Sequence, residues 1–365
     1  MLQNNIKKQK VDASNNAAYQ AMLAFNRANP DIKAAYKEMI QFHLKNKKSL
    51  DLQGVFFPAE LTMHVSPVLQ AYQQAGFYKN LEDAAKNGSE EEYANLSALQ
   101  RKAHADYWQT WLFGTWRLTQ SIYAFDHKII ETVARNKIPD ETPLKFFDTL
   151  PEWVQYVSFD GFDIPIHHQD TSGERTAKLL GFWAGYNFTS VDAKKSLLIF
   201  LHIDRQIGSV YDGFQPYVLP LDDTTIGQLT GIFGDINYQA GKQLLKFALS
   251  CLLWLCTDKP DVQKDGQEQS LDMLSKPKYT THKKTGEFVP PSSPVSYIVG
   301  DKIGAAEAAE AQKLANVDLQ AQPQHTKRPH IRKGHWHGFW RGKHSEPENR
   351  KWVMHWIPSI FVNGG

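Results

Sequence analysis

SLLIFLHID, residues 196–204, is apolar on both of its alternating faces, and its placement decides the fold. A strand with one solvated face alternates polar and apolar residues, whereas a continuous run of Leu, Ile and Phe marks a strand buried on both sides. The segment is therefore expected as the central strand of a sheet. Three further short runs rich in aromatic and β-branched residues accompany it: WVQYVSF (153–159), GFWAGYNFT (181–189) and YVL (217–219). A helix is expected over 238–256, packed on this sheet.

Upstream the pattern is helical. Apolar positions recur at helical spacing over 17–47, where Asn29 and Pro30 supply an N-cap and a first-turn proline that split the stretch into a helical hairpin. Over 91–135, Leu96, Leu99, Ala103, Trp108, Trp111, Thr115, Ile122, Ile129 and Val133 align as one apolar stripe, with Gly114 as the place for a bend. After Pro139 the strands cluster instead of alternating with helices. An α+β fold is expected, with a helical N-terminal part packed on a mainly antiparallel sheet and a C-terminal β-hairpin. The division expected is 1–140 helical, 141–260 sheet plus helix, 261–325 a polar arm with a short Ala-rich helix at 305–319, and 326–365 a basic hairpin rich in His and Trp.

With 365 residues, 42% of them hydrophobic, the chain can bury one large core or two modest ones. The net charge of +2 creates no overall demand for nucleic acid or membrane, so any electrostatic footprint has to be local. The apolar run at 244–256, interrupted by Lys246 and Ser250, is shorter than the roughly 18 residues a membrane span requires. The N-terminus lacks an apolar signal core, and a cytoplasmic protein with no membrane partner is expected. Cys251 and Cys256 lie about 140° apart around one helix and cannot bridge each other, which fits a reducing compartment. Gly227, Gly231 and Gly234 do not make a dinucleotide fingerprint, and there is no P-loop, G-x-S-x-G, H-E-x-x-H or CxxC motif. No cofactor is expected. His167 and His168, beside Asp163 and Asp170, are expected in a polar hairpin turn, not as metal ligands.

The end of the chain concentrates the chemistry: HTKRPHIRKGHWHGFWRGKHSEPENRKWVMHWIPSIFVNGG, residues 325–365. As a strand, HWHGFWR puts His335, His337 and Phe339 on one face and Trp336 and Trp340 on the other. WVMHWI separates Trp352, Met354 and Trp356 from Val353, His355 and Ile357, and a turn through 342–349 pairs the two. Three readings stay open. The tryptophans fill core and the basic residues are solvated; or Lys327, Arg328, Arg332, Lys333, Arg341 and Lys343 follow an RNA backbone while Trp336, Trp340 or His330 stack bases; or the imidazoles act. In the last case His335, His337 and His355 converge, or His335 and His337 serve without metal as general base and acid for RNA cleavage. The turn carboxylates Glu346 and Glu348 are too mobile to complete a metal set, and no metal is expected.

Several segments together resemble the second type V-A anti-CRISPR family. They are FFP (56–58), GTWRLTQSIYAFD (114–126), LPEWVQYV (150–157), GFWAGYN (181–187), LLWLCTDKPD (252–261), KPKYTTHKKTGEFVPPSSP (276–294), RPHIRKGHWHGFWRG (328–342) and FVNGG (361–365), in one order along the chain. The resemblance implies a protein of phages and plasmids that suppresses production of the type V-A CRISPR effector. It implies recognition of the effector's N-terminal peptide as it is made, followed by loss of its messenger RNA. The implied partners are that peptide, the message with its translating ribosome, and a host nuclease. An extended peptide needs an apolar groove or a strand edge; Trp153, Tyr156, Trp183 and Tyr186 are candidate groove walls, with ordinary sheet core as their other role. Two alternatives remain, a metal-independent ribonuclease using His335 and His337 and a stoichiometric inhibitor of the finished effector.

Overall fold

The computed structural model describes residues 15–30, 83, 86–136, 138–160, 162, 164–170, 173–188, 195–204, 216–229, 239–257, 260–269, 280–281, 284, 288–289, 291–316 and 330–362. Two helices come first, α1 (Ala17–Ala28) and α2 (Glu90–Trp116), followed by β1 (Ser121–Phe125), α3 (His127–Arg135) and β2 (Val154–Ser158). Then come β3 (Pro165–Asp170), β4 (Gly173–Phe188), β5 (Lys195–Ile203), β6 (Pro216–Pro220) and α4 (Gln239–Leu255). The short strands β7 (Val262–Lys264), β8 (Gln267–Glu268), β9 (Thr280–Thr281) and β10 (Phe288–Val289) precede β11 (Val295–Val299) and α5 (Asp301–Ala315). The chain closes with β12 (His330–Arg332), β13 (His335–Arg341), β14 (Lys351–Ile357) and β15 (Ile360–Val362). No described helix is long and apolar enough to cross a membrane.

SLLIFLHID becomes β5, and its two faces go to two different cores. Leu197, Ile199 and Leu201 join the cluster that includes Leu245, Leu249 and Leu252 of α4, while Leu198 and Phe200 join Trp111, Phe113 and Trp116 of α2. The same alternation holds in β4, where Phe182 and Ala184 face α4 and Trp183 faces α2. α1 adds Ala18, Met22 and Phe25, one stripe at helical spacing, to the α2 side, with the Phe25 ring 5.3 Å from Phe113. The α3 residues Ile129 and Val133 lie on the α4 side. The sheet is thus sandwiched between helices on both faces, one layer more than the clustering of strands suggested.

The sheet runs β6-β5-β4-β2-β1-β11-β7-β8, with β3 paired to β4. β5 is one strand in from the described edge instead of central; double-sided burial, not mid-sheet position, is what its composition encodes. Most pairings are antiparallel, but β1 runs parallel to both β2 and β11. That arrangement overturns the single stripe over 91–135. α2 ends at Trp116, Gln120 turns the chain at φ 49°, and SIYAF is a strand. Ile122 satisfies a helical spacing by coincidence, and pairing to two neighbours outweighs it. The indole of Trp116 donates to Ser121 O at 3.0 Å, and Asp126 caps α3 by accepting from Lys128 N at 2.9 Å.

Three further expectations shift. β4 begins at Gly173, well before residue 181, because it pairs with β3, so His167 and His168 sit on a strand opposite Thr176 and Arg175 and not in a turn. The stretch expected as a polar arm supplies β7, β8 and β11 to the sheet; VSYIV in its midst is a five-residue strand pattern. α5 starts at Asp301, earlier than 305, because a distant side chain caps it: Asp261 Oδ2 accepts from Lys302 N and Ile303 N at 2.8 and 3.0 Å, and Gly300 sits at φ 84°. The second half of the expected N-terminal hairpin lies outside the described residues.

The C-terminal hairpin pairs His335↔Ile357 through Arg341↔Lys351, and the ribbon continues as β12–β15, His330↔Val362 to Arg332↔Ile360. Between the two parts the ribbon bends at Gly334 and Ser359. Gly334 N donates to Ser359 Oγ at 2.8 Å; the Ser359 hydroxyl in turn donates to the Glu307 carboxylate, which also accepts Ser359 N at 3.0 Å. Any side chain at 334 would stand 2.5 Å from Trp356 Cζ2 and 2.9 Å from Glu307 Oε1, so the bend requires glycine. One turn further along α5, Glu310 accepts Phe361 N at 2.8 Å and pairs with Lys313 at 2.5 Å. These two carboxylates fasten the ribbon to the helix.

Two consequences can be measured. A methyl group at 181 overlaps the Tyr156 hydroxyl and the Val157 carbonyl oxygen, so Gly181→Ala is expected to cost about 1–3 kcal/mol of stability, read as a lower denaturant midpoint. The hydrogen bond from Lys313 and that from the Phe361 amide hold the Glu310 carboxyl below its ordinary value. Because the shift is downward, its contribution is present above the ordinary carboxylate range and is lost as pH falls through the folded-state value. The Phe361 amide should therefore lose hydrogen-exchange protection, corrected for intrinsic rate, on acidification, and Glu310→Gln should flatten that dependence.

Candidate functional site: the outer face of the C-terminal ribbon

Alternation along β13 and β14 gives the hairpin two chemically different faces. The inner face carries Trp336, Trp340, Trp352, Met354 and Trp356. Trp336 and Trp356 close on Trp254 near the end of α4, with ring centroids 4.8 and 4.9 Å from it and 5.3 Å from each other. Such pairs contribute about 0.5–1.5 kcal/mol each beyond area burial. Trp336 is therefore core, and the expectation that it stacks bases is corrected by its burial. Trp340 is 37% exposed but stands edge-on to Trp352 at 5.3 Å, with Lys145 Nζ and the Arg350 guanidinium 5.5 and 5.9 Å from its ring.

The outer face carries His335, His337, Phe339 and Arg341 on β13 and Lys351, Val353, His355 and Ile357 on β14. His337 lies directly opposite His355, and Arg341 opposite Lys351. The Phe339 ring is 5.6 Å from His337 at 35° and 5.4 Å from His355 at 31°, and it is 36% exposed. His335, His337, Arg341, Lys351 and His355 are exposed, as are Arg332 and Lys333 in the bent continuation. Neither strand of the hairpin carries a carboxylate. In the turn, Glu346 accepts from Lys343 Nζ at 3.4 Å and Asn349 Nδ2 at 3.2 Å. Lys327 and Arg328 lie outside the described residues.

His335 and His337 do share a face, about 7 Å apart by strand rise, and the His335 ring nitrogen lies 3.3 Å from Lys333 O. Convergence of His335, His337 and His355 on one ion is not found: among the described residues no three His, Cys, Asp or Glu side chains are grouped to hold a metal. His337 and His355 are direct cross-strand partners in the register, nearer neighbours by sheet geometry than the His335–His337 pair two residues apart on one strand.

The four candidate groove walls are sheet interior. Tyr156 and Trp183 face α2 with rings 4.7 Å apart, Tyr186 faces α4, and Trp153 is buried beside them. The Tyr186 hydroxyl donates to Phe147 O and accepts from Leu150 N, both at 2.8 Å, and Tyr156 shares a 3.0 Å hydrogen bond with His202. Burial pushes both phenols well above their ordinary value. Residues on opposite faces of one sheet cannot line one groove, so these four are corrected to core. A feature that no motif announced is a cavity of about 780 Å³ between α3 and α4, with Ile130, Ile138, Ile164 and Phe247 in its lining and Glu131 and Lys246 among its polar groups. Cys251 and Cys256 are free and buried, and burial pushes the Cys256 thiol up to about 12.

No curated protein matches this sequence. The model of the anti-CRISPR type V subtype A2 family matches residues 123–364, from within β1 to beyond the end of the ribbon. A solved structure described as the crystal structure of AcrVA2 is similar at a TM-score of 0.64 and 28% identity, over 95% of this chain and 99% of that chain. The matched family segment holds most of the sheet, α3, α4, α5 and the whole bent ribbon, and on that ground the chain belongs to the anti-CRISPR type V subtype A2 family.

Proposed function

We propose that this anti-CRISPR protein suppresses production of the type V-A effector nuclease: its body holds the effector's N-terminal peptide during translation, the ribbon touches the message, and the message is lost. The observation that carries this reading is the outer face of the ribbon. It presents exposed cations and imidazoles on two strands without a carboxylate, fastened to the core through Trp254, Glu307 and Glu310. Arg332, Lys333 and Arg341, with Lys327 and Arg328 upstream, are the phosphate contacts. A nascent chain is tethered to its own message through the ribosome, so holding the peptide raises the effective concentration of a weak RNA contact.

The peptide's place in this reading is the cavity between α3 and α4, whose apolar lining and polar rim suit an extended segment with one or two apolar side chains. Decay is carried out by a host nuclease in the cytoplasm. The direct ribonuclease remains the second reading, favoured by the register that sets His337 against His355 and by His335 on the same face.

In cells co-expressing both proteins, effector message and protein should fall together. Synonymous recoding of the effector's first codons should leave the effect intact, and a changed N-terminal peptide should abolish it. Calorimetry with that peptide should show binding, weakened about tenfold by Lys246→Glu at the cavity rim, or ~1.4 kcal/mol. An unchanged effector level would point to a stoichiometric blocker. RNA cut by the purified protein alone, and spared by His337→Ala with His355→Ala, would make it an enzyme.

A further inference from the structure

We infer that the outer face of the ribbon is a platform for unpaired bases of single-stranded RNA, with Phe339, flanked by His337 and His355, as the ring a base lies against and Arg341 and Lys351 as phosphate contacts. The inference rests on the message-contact half of the function proposed above and names the nucleic acid and the residues.

The hairpin buries Trp336 and tucks Trp352 and Trp356 toward the core, yet turns Phe339 to solvent. A phenyl ring left 36% exposed forgoes part of the gain from burial, and this one is not loose. Imidazoles stand 5.6 and 5.4 Å away, tilted by 35° and 31°, one on its own strand and one across the ladder. Three rings held by strand register form an array open on its outer side, so a base that settles on it orders little that was not already ordered. On the opposite, inner face Gly338 leaves room for Trp352 and Met354 to lie against the strand: a side chain there would meet Met354 Sδ at 2.7 Å and collide with the Trp352 ring.

Charge selects the occupant. The Arg341–Lys351 pair lies two residues from Phe339 and Val353, about 7 Å along the ribbon. With no carboxylate on either strand, the face is complementary to a polyanion. Phosphates alone would need only the cations; the exposed ring calls for a partner that also offers a flat, unpaired base. In an RNA duplex the base faces are stacked away and only phosphates, 2′-hydroxyls and groove edges are presented.

The test uses the full chain and fluorescence anisotropy with a labelled single-stranded RNA of about ten nucleotides, alone and annealed to its complement. The single strand should bind more tightly than the duplex. Phe339→Ala should weaken it about tenfold with an unchanged salt slope, and Phe339→Trp should restore it. Arg341→Glu with Lys351→Glu should weaken binding and reduce the salt slope by about 1.4. Thermal melting of each variant checks that the ribbon is intact, and these positions face solvent. Equal binding of duplex, or no effect of Phe339→Ala, overturns the platform. If wild type binds no RNA while the effector peptide still gives heat in calorimetry, the platform fails and peptide recognition stands. RNA binding through Phe339 without peptide binding keeps the platform and removes peptide recognition. Loss of peptide binding in Phe339→Ala with RNA binding unchanged assigns the face to a protein partner and overturns the inference.

Discussion

Burial of the sheet on both faces is the constraint from which the rest of the structure follows. In β4 and β5 successive side chains go to opposite cores, Phe182, Leu197 and Ile199 toward α4 and Trp183, Leu198 and Phe200 toward α2. Neither set can be left in water: each fully buried side chain of this size contributes about 1.5–3 kcal/mol relative to exposure, as an upper estimate. The strands therefore demand helices on both sides. α1 and α2 close one face, α3 and α4 close the other, and the space left beyond the end of α4 is where the ribbon docks.

The ribbon depends on that arrangement at two kinds of contact. Trp254 offers an indole to Trp336 and Trp356, an apolar attachment that resists sliding because three large rings interlock. Glu307 takes up the Ser359 amide at the bend, and Glu310 the Phe361 amide of β15 just beyond it. The apolar contact holds the inner face down and the polar contacts fix the angle at Gly334. What remains outward is a surface of imidazole, phenyl and cation whose geometry is inherited from register.

Much of this was legible in the residues. Alternation alone separated His335, His337 and Phe339 from Trp336 and Trp340, and the helix around Leu252 and Trp254 announced itself by its apolar run. The failures share a cause, which is non-local partnership. SIYAF looks helical until β2 and β11 pair with it; α5 starts early because Asp261, distant from it along the chain, supplies the cap. The site divides the same way. Face assignment within a strand is local and legible, whereas which face meets Trp254 is a tertiary fact, so the residues alone leave Trp336 open between core and base stacker until Trp254 anchors it. Trp153, Tyr156, Trp183 and Tyr186 read equally as groove wall or as sheet core, because aromatic content cannot distinguish the two.

α4 serves both halves of the molecule. Lys246 and Phe247 line the cavity beside α3, and Trp254, about two turns on, holds the ribbon. Between them the helix is buried along Leu249, Leu252 and Leu253, packed too closely to bend easily. Cavity and ribbon are therefore carried by one element, so in the function proposed above the peptide site and the message contact would keep a fixed spacing while the ribosome supplies the tether. The shared helix, more than either surface alone, ties the cavity to the ribbon.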